Sequence, residues 1–300
     1  MLKTKDLYLK ACQNSEDLHV MTDEERAKLQ AHLRLMYLEI EKVCDRHSLR
    51  MMVGFGTVLG AIRHNGFIPW DDDMDLLMPR EDYERFINQY AQELPKQFKI
   101  FAPNSKNGPI YRFAKVVDTT TRFLEPSDED NETSGIFIDI FPLEYSVIGT
   151  LKNRIFRFVT MLLMIVSSSV EKYEKHSDVY KRLMCSSKAG KRTYYLRQAI
   201  GLLFSWKKSG TWYNMFDRFV NVKKANNNFS IPSGGPHIRN FVPRKVEQYL
   251  PVKKMRFDDI DVYVPNQPEQ HCVDYYGDWT WIPPVEKRWQ HFIKEIKFEV

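Results

Sequence analysis

The sequence predicts an α+β protein from three observations. Thr22 to Arg46 carries a single apolar stripe at helical spacing. Short runs of strand character crowd Arg50 to Phe141. Residues 151–226 read as helix throughout. Strands and helices gathered into separate runs, not strictly alternating, are the mark of that class.

The elements follow in order. Thr22 and Glu25 form a capping-box pattern, and Leu29, Leu33, Met36, Ile40 and Val43 alternate at i+4 and i+3 behind it. Arg50 to Phe55 predicts a strand broken by Gly54 and Gly56, with a short helix over Thr57 to Arg63. Asn65-Gly66 marks a turn. Asp73 to Met78 predicts a strand, and Glu81 to Tyr90 a helix after Pro79. Phe98 to Phe101, Ile110 to Val117 and Thr121 to Leu124 are further strands, Pro126 to Ser134 an acidic loop, and Ile136 to Phe141 a buried strand enclosing one acid. Beyond the helical stretch, an Asn-, Gly- and Pro-rich loop runs from Asn226 to Pro236. Short strands over Arg256 to Val264 and a terminal helix over Glu286 to Lys297 complete the chain. The parts divide as 1–150, a core with its N-terminal helix, 151–230, a basic helical segment, and 231–300, which packs back on the core in one unit.

With 300 residues, 43% hydrophobic and 28% charged, the chain can bury a full core. Cys12, Cys44, Cys185 and Cys272 stand far apart with no CxxC, which argues against zinc and against a disulfide framework. Met1 to Asp6 is followed by no apolar h-region, so no signal peptide is expected. Phe158 to Val166 falls well short of the ~20 apolar residues of a spanning helix. The expected location is cytoplasmic, with a peripheral place on the inner membrane face. Net charge is +5, but residues 151–230 hold 16 Lys/Arg against 4 Asp/Glu, a local net of +12 that leaves −7 elsewhere. Such a segment suits an anionic partner; a solvated basic helical face accounts for the same count.

The chemistry concentrates in Trp70-Asp71-Asp72-Asp73-Met74-Asp75. On a strand, Asp73 and Asp75 point the same way. Paired carboxylates repel unless a cation lies between them, and oxygen-only ligands favour Mg²⁺ or Mn²⁺. Asp139, set among Ile138, Ile140, Phe137 and Phe141, is the natural third metal ligand, because a lone buried acid needs a cation or an ion pair. Asp71 and Asp72 are assigned to the turn entering the strand. Gly56 and Thr57, at a strand-to-helix junction, let backbone amides approach a phosphate. Arg63, His64, Arg112 and Lys115 are candidate phosphate contacts. Trp70, Tyr111, Trp279, Trp281 and Trp289 are candidate aromatic walls for a quaternary ammonium group, with core packing as the alternative. Ser233-Gly234-Gly235 lacks a nucleophile elbow, and the acidic loop 128–132 does not match a calcium loop.

Gly56 to Asp75, with its GTVLGAIRHNGFIPWDDDMD run, strongly resembles the signature of the LicD family, phosphotransferases related to the fukutins. Ile138 to Leu143 resembles that family's second acidic strand. Tyr276-Gly277-Asp278, Pro283-Pro284, Arg288 and His291 resemble its C-terminal motif. The resemblance spans roughly Leu29 to His291 and is weakest in the helical middle. It implies a nucleotidyltransferase-like mixed sheet with flanking helices and a helical insertion. It also implies transfer of a phosphorylated group, phosphocholine from CDP-choline being the best-known case, from a CDP-activated donor to a cell-surface glycan such as lipopolysaccharide, teichoic acid or capsular polysaccharide. Gly56-Thr57, Asp73, Asp75 and Asp139 match the superfamily's nucleotide and metal positions. Trp70, Arg63, Arg112 and Lys115 complete the expected substrate contacts. The cysteine-rich zinc element of some fukutin relatives has no counterpart here. The expected partners are the donor, a glycan or lipid-linked glycan acceptor and an anionic membrane at 151–230, with no nucleic acid. The alternatives are nucleotidyl transfer to nucleic acid, protein or a small molecule, and a non-catalytic glycan- or membrane-binding protein of the same fold.

Overall fold

The capping box at Thr22 opens a helix. In the computed structural model, which describes residues 7–8, 11–12, 15, 18–128, 131, 133–147, 149–222, 227–232, 243–285, 288 and 290–299, α1 spans Asp23–Arg46. Thr22 Oγ1 accepts from the Glu25 amide at 3.2 Å, and the Glu25 carboxylate accepts from the Thr22 amide at 2.8 Å. Leu29, Leu33, Met36, Ile40 and Val43 are all buried, joined by Tyr37 and Cys44.

Then β1 (Met52–Val53) leads into α2 (Phe55–His64), followed by β2 (Asp75–Pro79) and α3 (Arg80–Arg85), which continues as a π-helical turn over Phe86–Tyr90. Four strands follow: β3 (Phe98–Phe101), β4 (Ala114–Asp118), β5 (Arg122–Leu124) and β6 (Phe137–Tyr145). The helical stretch resolves into α4 (Thr150–Lys175), α5 (Asp178–Cys185), α6 (Lys188–Phe204) and α7 (Ser209–Val220). Beyond it come β7 (Asn228–Ser230), β8 (Arg244–Lys245), the hairpin β9 (Lys253–Phe257) and β10 (Ile260–Val264), α8 (Pro268–Tyr276) and β11 (Glu295–Lys297).

The main sheet runs β1-β2-β6-β4-β3, and β7 and β8 extend it from the end of β6. β2 and β6 are parallel, the other pairs antiparallel, so the sheet is mixed with flanking helices, as the resemblance implies. Period-two alternation gives it two faces. Leu76, Met78, Ala114, Val116, Ile138 and Ile140 pack with the α1 stripe in the main core. Leu77, Phe113, Phe141, Leu143 and Tyr145 join a second core with Phe229 and Tyr249.

The helical segment is joined to the sheet by charge. Arg80, at the start of α3, donates to Glu144 at the end of β6 and, at 2.9 Å, to Asp217 of α7; all three are buried. Burial works against the Arg80 charge, but Glu144 and Asp217 outweigh it and raise its pKa. A second seam ties α4 to the loop after β5, where Lys172 donates to Ser127 Oγ at 2.6 Å and Lys175 to Asp128 at 3.0 Å.

Some expectations need correction. β2 begins at Asp75, so Asp73 enters the site from the preceding loop, not by strand alternation. β4 begins at Ala114, which leaves Arg112 ahead of the strand. The terminal helix is not formed over the described residues 290–297. Ile293 bridges His19, the Lys294 amide donates to Leu124 O, and Glu295–Lys297 pairs with β5. Backbone groups satisfied by neighbouring strands leave nothing for a helical ladder. Ser233-Gly234-Gly235, Trp289, residues 226 and 236 at the ends of the 226–236 loop, and residues 129, 130 and 132 of the acidic loop lie outside the described residues. All four cysteines are free thiols. Among the described residues, no helix is long and apolar enough to cross a membrane.

Candidate active site

Strand register builds the centre of the site. Asp75 of β2 stands opposite Asp139 of β6, and Asp139 opposite Lys115 of β4. Directly paired residues project to the same face, so two carboxylates and one ammonium form a row on the face of the second core. Lys115 Nζ lies 2.9 Å from Asp139 Oδ1 as an ion pair, and 3.1 Å from the centre of the Phe137 ring. Asp139 therefore makes an ion pair, one of the alternatives its sequence context left open, and does so inside the acidic cluster.

The loop before β2 supplies the other acids. One carboxylate oxygen each of Asp71, Asp72 and Asp73 lies within 4.8 Å of the others. Asp72 and Asp71 do more than shape a turn. The Asp72 carboxylate accepts from the His291 amide at 2.7 Å and pairs with His291 Nδ1 at 2.9 Å. Asp71 lies against Gly56, where a Cβ would meet Asp71 Oδ2 at 3.1 Å and the Tyr276 hydroxyl at 3.9 Å. A glycine thus keeps the N-terminus of α2 open toward the acids. The preceding residue, Phe55, has φ +42°, a strained value for a bulky side chain, and its amide donates to His271 Nε2 at 3.2 Å.

Burial dominates the electrostatics. It pushes the Asp71 carboxyl well up, with Asp73, Asp72 and Asp75 adding repulsion. It does the same to Asp75, with Asp73 and Asp139 adding repulsion. Asp73 is raised to about 6 by burial, against the pull of His291. Asp139 is raised by burial and partly held down by Lys115. Burial disfavours the His291 imidazolium, but Asp72, through charge and hydrogen bond, raises its pKa well above the ordinary value. Among the described residues, Asp71, Asp72, Asp73, Asp75 and Asp139 are thus offset by two neighbouring cations, Lys115 and His291. Hard oxygen donors in excess of nearby positive charge fit a divalent cation such as Mg²⁺.

The remaining candidates scatter. Thr57 Oγ1 accepts from the Asp75 amide at 3.1 Å, so its hydroxyl positions the acidic strand. Arg63 turns to the C-terminal part, donating to Trp279 O at 2.9 Å and Trp281 O at 3.1 Å. The Trp70 ring is covered by the Arg288 guanidinium at 4.2 Å. Arg112 lies over Phe216 of α7 at 5.9 Å, toward the helical segment. Tyr111 has Lys115 Nζ 5.1 Å from its ring centre. Sequence reasoning gave no site role to Tyr276 or His291 by itself; their only signal was the C-terminal motif, since partners some two hundred positions away leave no local pattern. Thr57→Val keeps the shape but strands the Asp75 amide, so a loss of about 1–3 kcal/mol is expected in chemical denaturation.

The family model described as LicD/FKTN/FKRP, nucleotidyltransferase domain, matches residues 48–159, a span that holds α2, β2, β4, β6 and all five aspartates of the site. Over 260 residues the chain is 26% identical to the lipopolysaccharide cholinephosphotransferase LicD of Haemophilus influenzae, covering 84% of this chain and 90% of that one. A shorter stretch of 73 residues is 33% identical to an uncharacterized protein of Rickettsia typhi, covering 24% of this chain and 22% of that one.

Proposed function

We propose, from the premise that this chain is a member of the LicD family, that it transfers a substituted phosphate group, phosphocholine from CDP-choline foremost, to a cell-surface glycan. The observation that carries the reading is the in-register row Asp75, Asp139 and Lys115 beside the Asp71–Asp73 cluster. Asp73, Asp75 and Asp139 would hold a Mg²⁺ or Mn²⁺ ion, which would supply charge neutralisation at a donor pyrophosphate. The N-terminus of α2, opened by Gly56, receives a phosphate oxygen. Lys115 adds a fixed positive charge that needs no reorganisation as the leaving group departs. The acceptor hydroxyl attacks phosphorus and forms the new P–O bond, the bond to CMP breaks, and the hydroxyl proton passes to one of the carboxylates, whose raised affinity suits that role near neutral pH. Asp72 and His291 keep the loop carrying Asp71 and Asp73 in place.

The similarity to a lipopolysaccharide cholinephosphotransferase supports choline phosphate as the first donor group to test. The test is thermal shift with Mg²⁺ and CDP-choline, CDP-ethanolamine, CDP-glycerol, CDP-ribitol or nucleoside triphosphates. Stabilisation by CDP-choline is expected, at ~2.7 kcal/mol when the ligand stands at a hundred times its Kd. Stabilisation by triphosphates alone would favour nucleotidyl transfer. No stabilisation by any of them would favour a non-catalytic role.

A further inference from the structure

Helices α4 and α6 each bury one face and present a second apolar face outward. On α4, Phe156, Thr160, Ser167 and Val170 are buried, yet Leu151 (70%), Ile155 (55%), Phe158 (56%) and Leu162 (43%) are exposed. Their spacing of four, three and four residues makes one stripe. On α6, Tyr194 and Gly201 face inward, and a Cβ on Gly201 would meet Tyr173 of α4 at 2.5 Å. The outward side carries Tyr195, Leu196, Leu202 and Leu203 (69%), and Trp206 (67%) follows in the turn after the helix. The outer side of a surface helix is ordinarily polar, and a contiguous exposed apolar face marks a contact surface.

Charge selects the occupant. Lys152, Arg154, Lys191, Arg192, Lys207 and Lys208 flank these stripes. Three of the segment's four acids are engaged elsewhere: Glu171 with Lys175 and Tyr213, Asp217 with Arg80, and Glu174 with the Ser209 amide. A second copy of the chain would set one +12 segment against another. We propose that the outward faces of α4 and α6 dock on a bilayer surface rich in anionic lipid, with the helices lying in the plane of the interface. The apolar stripes enter the headgroup–acyl boundary, and the flanking Lys and Arg side chains reach the phosphates. Trp206, with Lys207 Nζ 4.9 Å from its ring centre, is built for that boundary.

The test is co-sedimentation of the full chain with phosphatidylcholine vesicles and with vesicles that also contain phosphatidylglycerol. Binding to the anionic vesicles, weakened by salt, is expected. Leu202→Glu with Leu203→Glu should lower it by at least about tenfold, and Lys152→Ala by roughly fivefold. The serine pair Leu202→Ser and Leu203→Ser should lower it in the same direction, which controls for any misfolding of the acidic pair. Equal binding to both vesicle types, or binding unchanged by both pairs, would overturn the proposal. So would self-association in sedimentation equilibrium that the same variants abolish.

Discussion

Asp75→Asn is expected to lower transfer activity by about 10³-fold or more while the chain stays folded, because several kcal/mol of transition-state stabilisation depend on an intact carboxylate set. The same substitution should raise the melting temperature of the metal-free protein. Asp75 sits half-buried beside Asp73 and Asp139, and its charge destabilises the fold when nothing offsets it. Function and stability therefore pull in opposite directions at this position, and a merely structural aspartate would not behave so. The pH dependence follows. Asp73 titrates at about 6 in the folded chain, above an ordinary aspartate at ~3.9. The native state thus holds this proton more tightly, and stability is gained as pH falls through 6 toward 4 and lost as pH rises. His291, raised by Asp72, acts in the same direction, its contribution lost as pH rises through its folded value. With a chelator present, melting should be higher at about pH 5 than at about pH 8. Mg²⁺ should raise it more at pH 8, where it no longer competes with protons. Melting that rose with pH under chelation, or full transfer activity in Asp75→Asn, would remove the metal assignment.

Arg80→Met is expected to produce the largest loss of stability, about 3–5 kcal/mol. The substitution keeps length and apolar stem but leaves Glu144 and Asp217 buried without their shared cation. Because those acids belong to β6 and α7, the helical segment should loosen from the sheet together with the global loss. Adding Glu144→Gln and Asp217→Asn should restore much of the stability, since the penalty lies in the abandoned charges. Urea denaturation of the single and triple variants separates the two. A single variant within about 1 kcal/mol of the parent would show that the triad contributes little.

Much of this arrangement is legible in the sequence. The capping box, the α1 stripe and β3 are local patterns, and local patterns survive folding. Asp139 stands out because an acid set among Ile and Phe has few ways to be accommodated, and Asp75 because it belongs to a run of carboxylates entering an apolar strand. What was not legible depends on partners remote in sequence. The sequence marks Thr57 as a substrate contact but gives no sign that its hydroxyl also accepts from the Asp75 amide. Asp72 was read as a turn residue, but His291 comes back across the whole chain to hold it. The terminal segment has the composition of a helix, yet the edge of β5 and the His19 backbone were available and it paired with them. Arg63 and Trp70 lie near the site in sequence, but both are engaged by the C-terminal part.

The row Asp75–Asp139–Lys115 has one further consequence. A single-residue slip of β2 or β4 would turn Asp75 or Lys115 away from the site and into the apolar layer beneath α1. A chain that paired its strands wrongly would then bury an unmatched charge in its largest core and would not persist as a folded species. Folding errors in this sheet are therefore self-eliminating: they yield unfolded chain for proteolysis, not a stable impostor that takes up donor without turning over. In a purified sample, the fraction of native fold and the fraction of competent sites should be the same number.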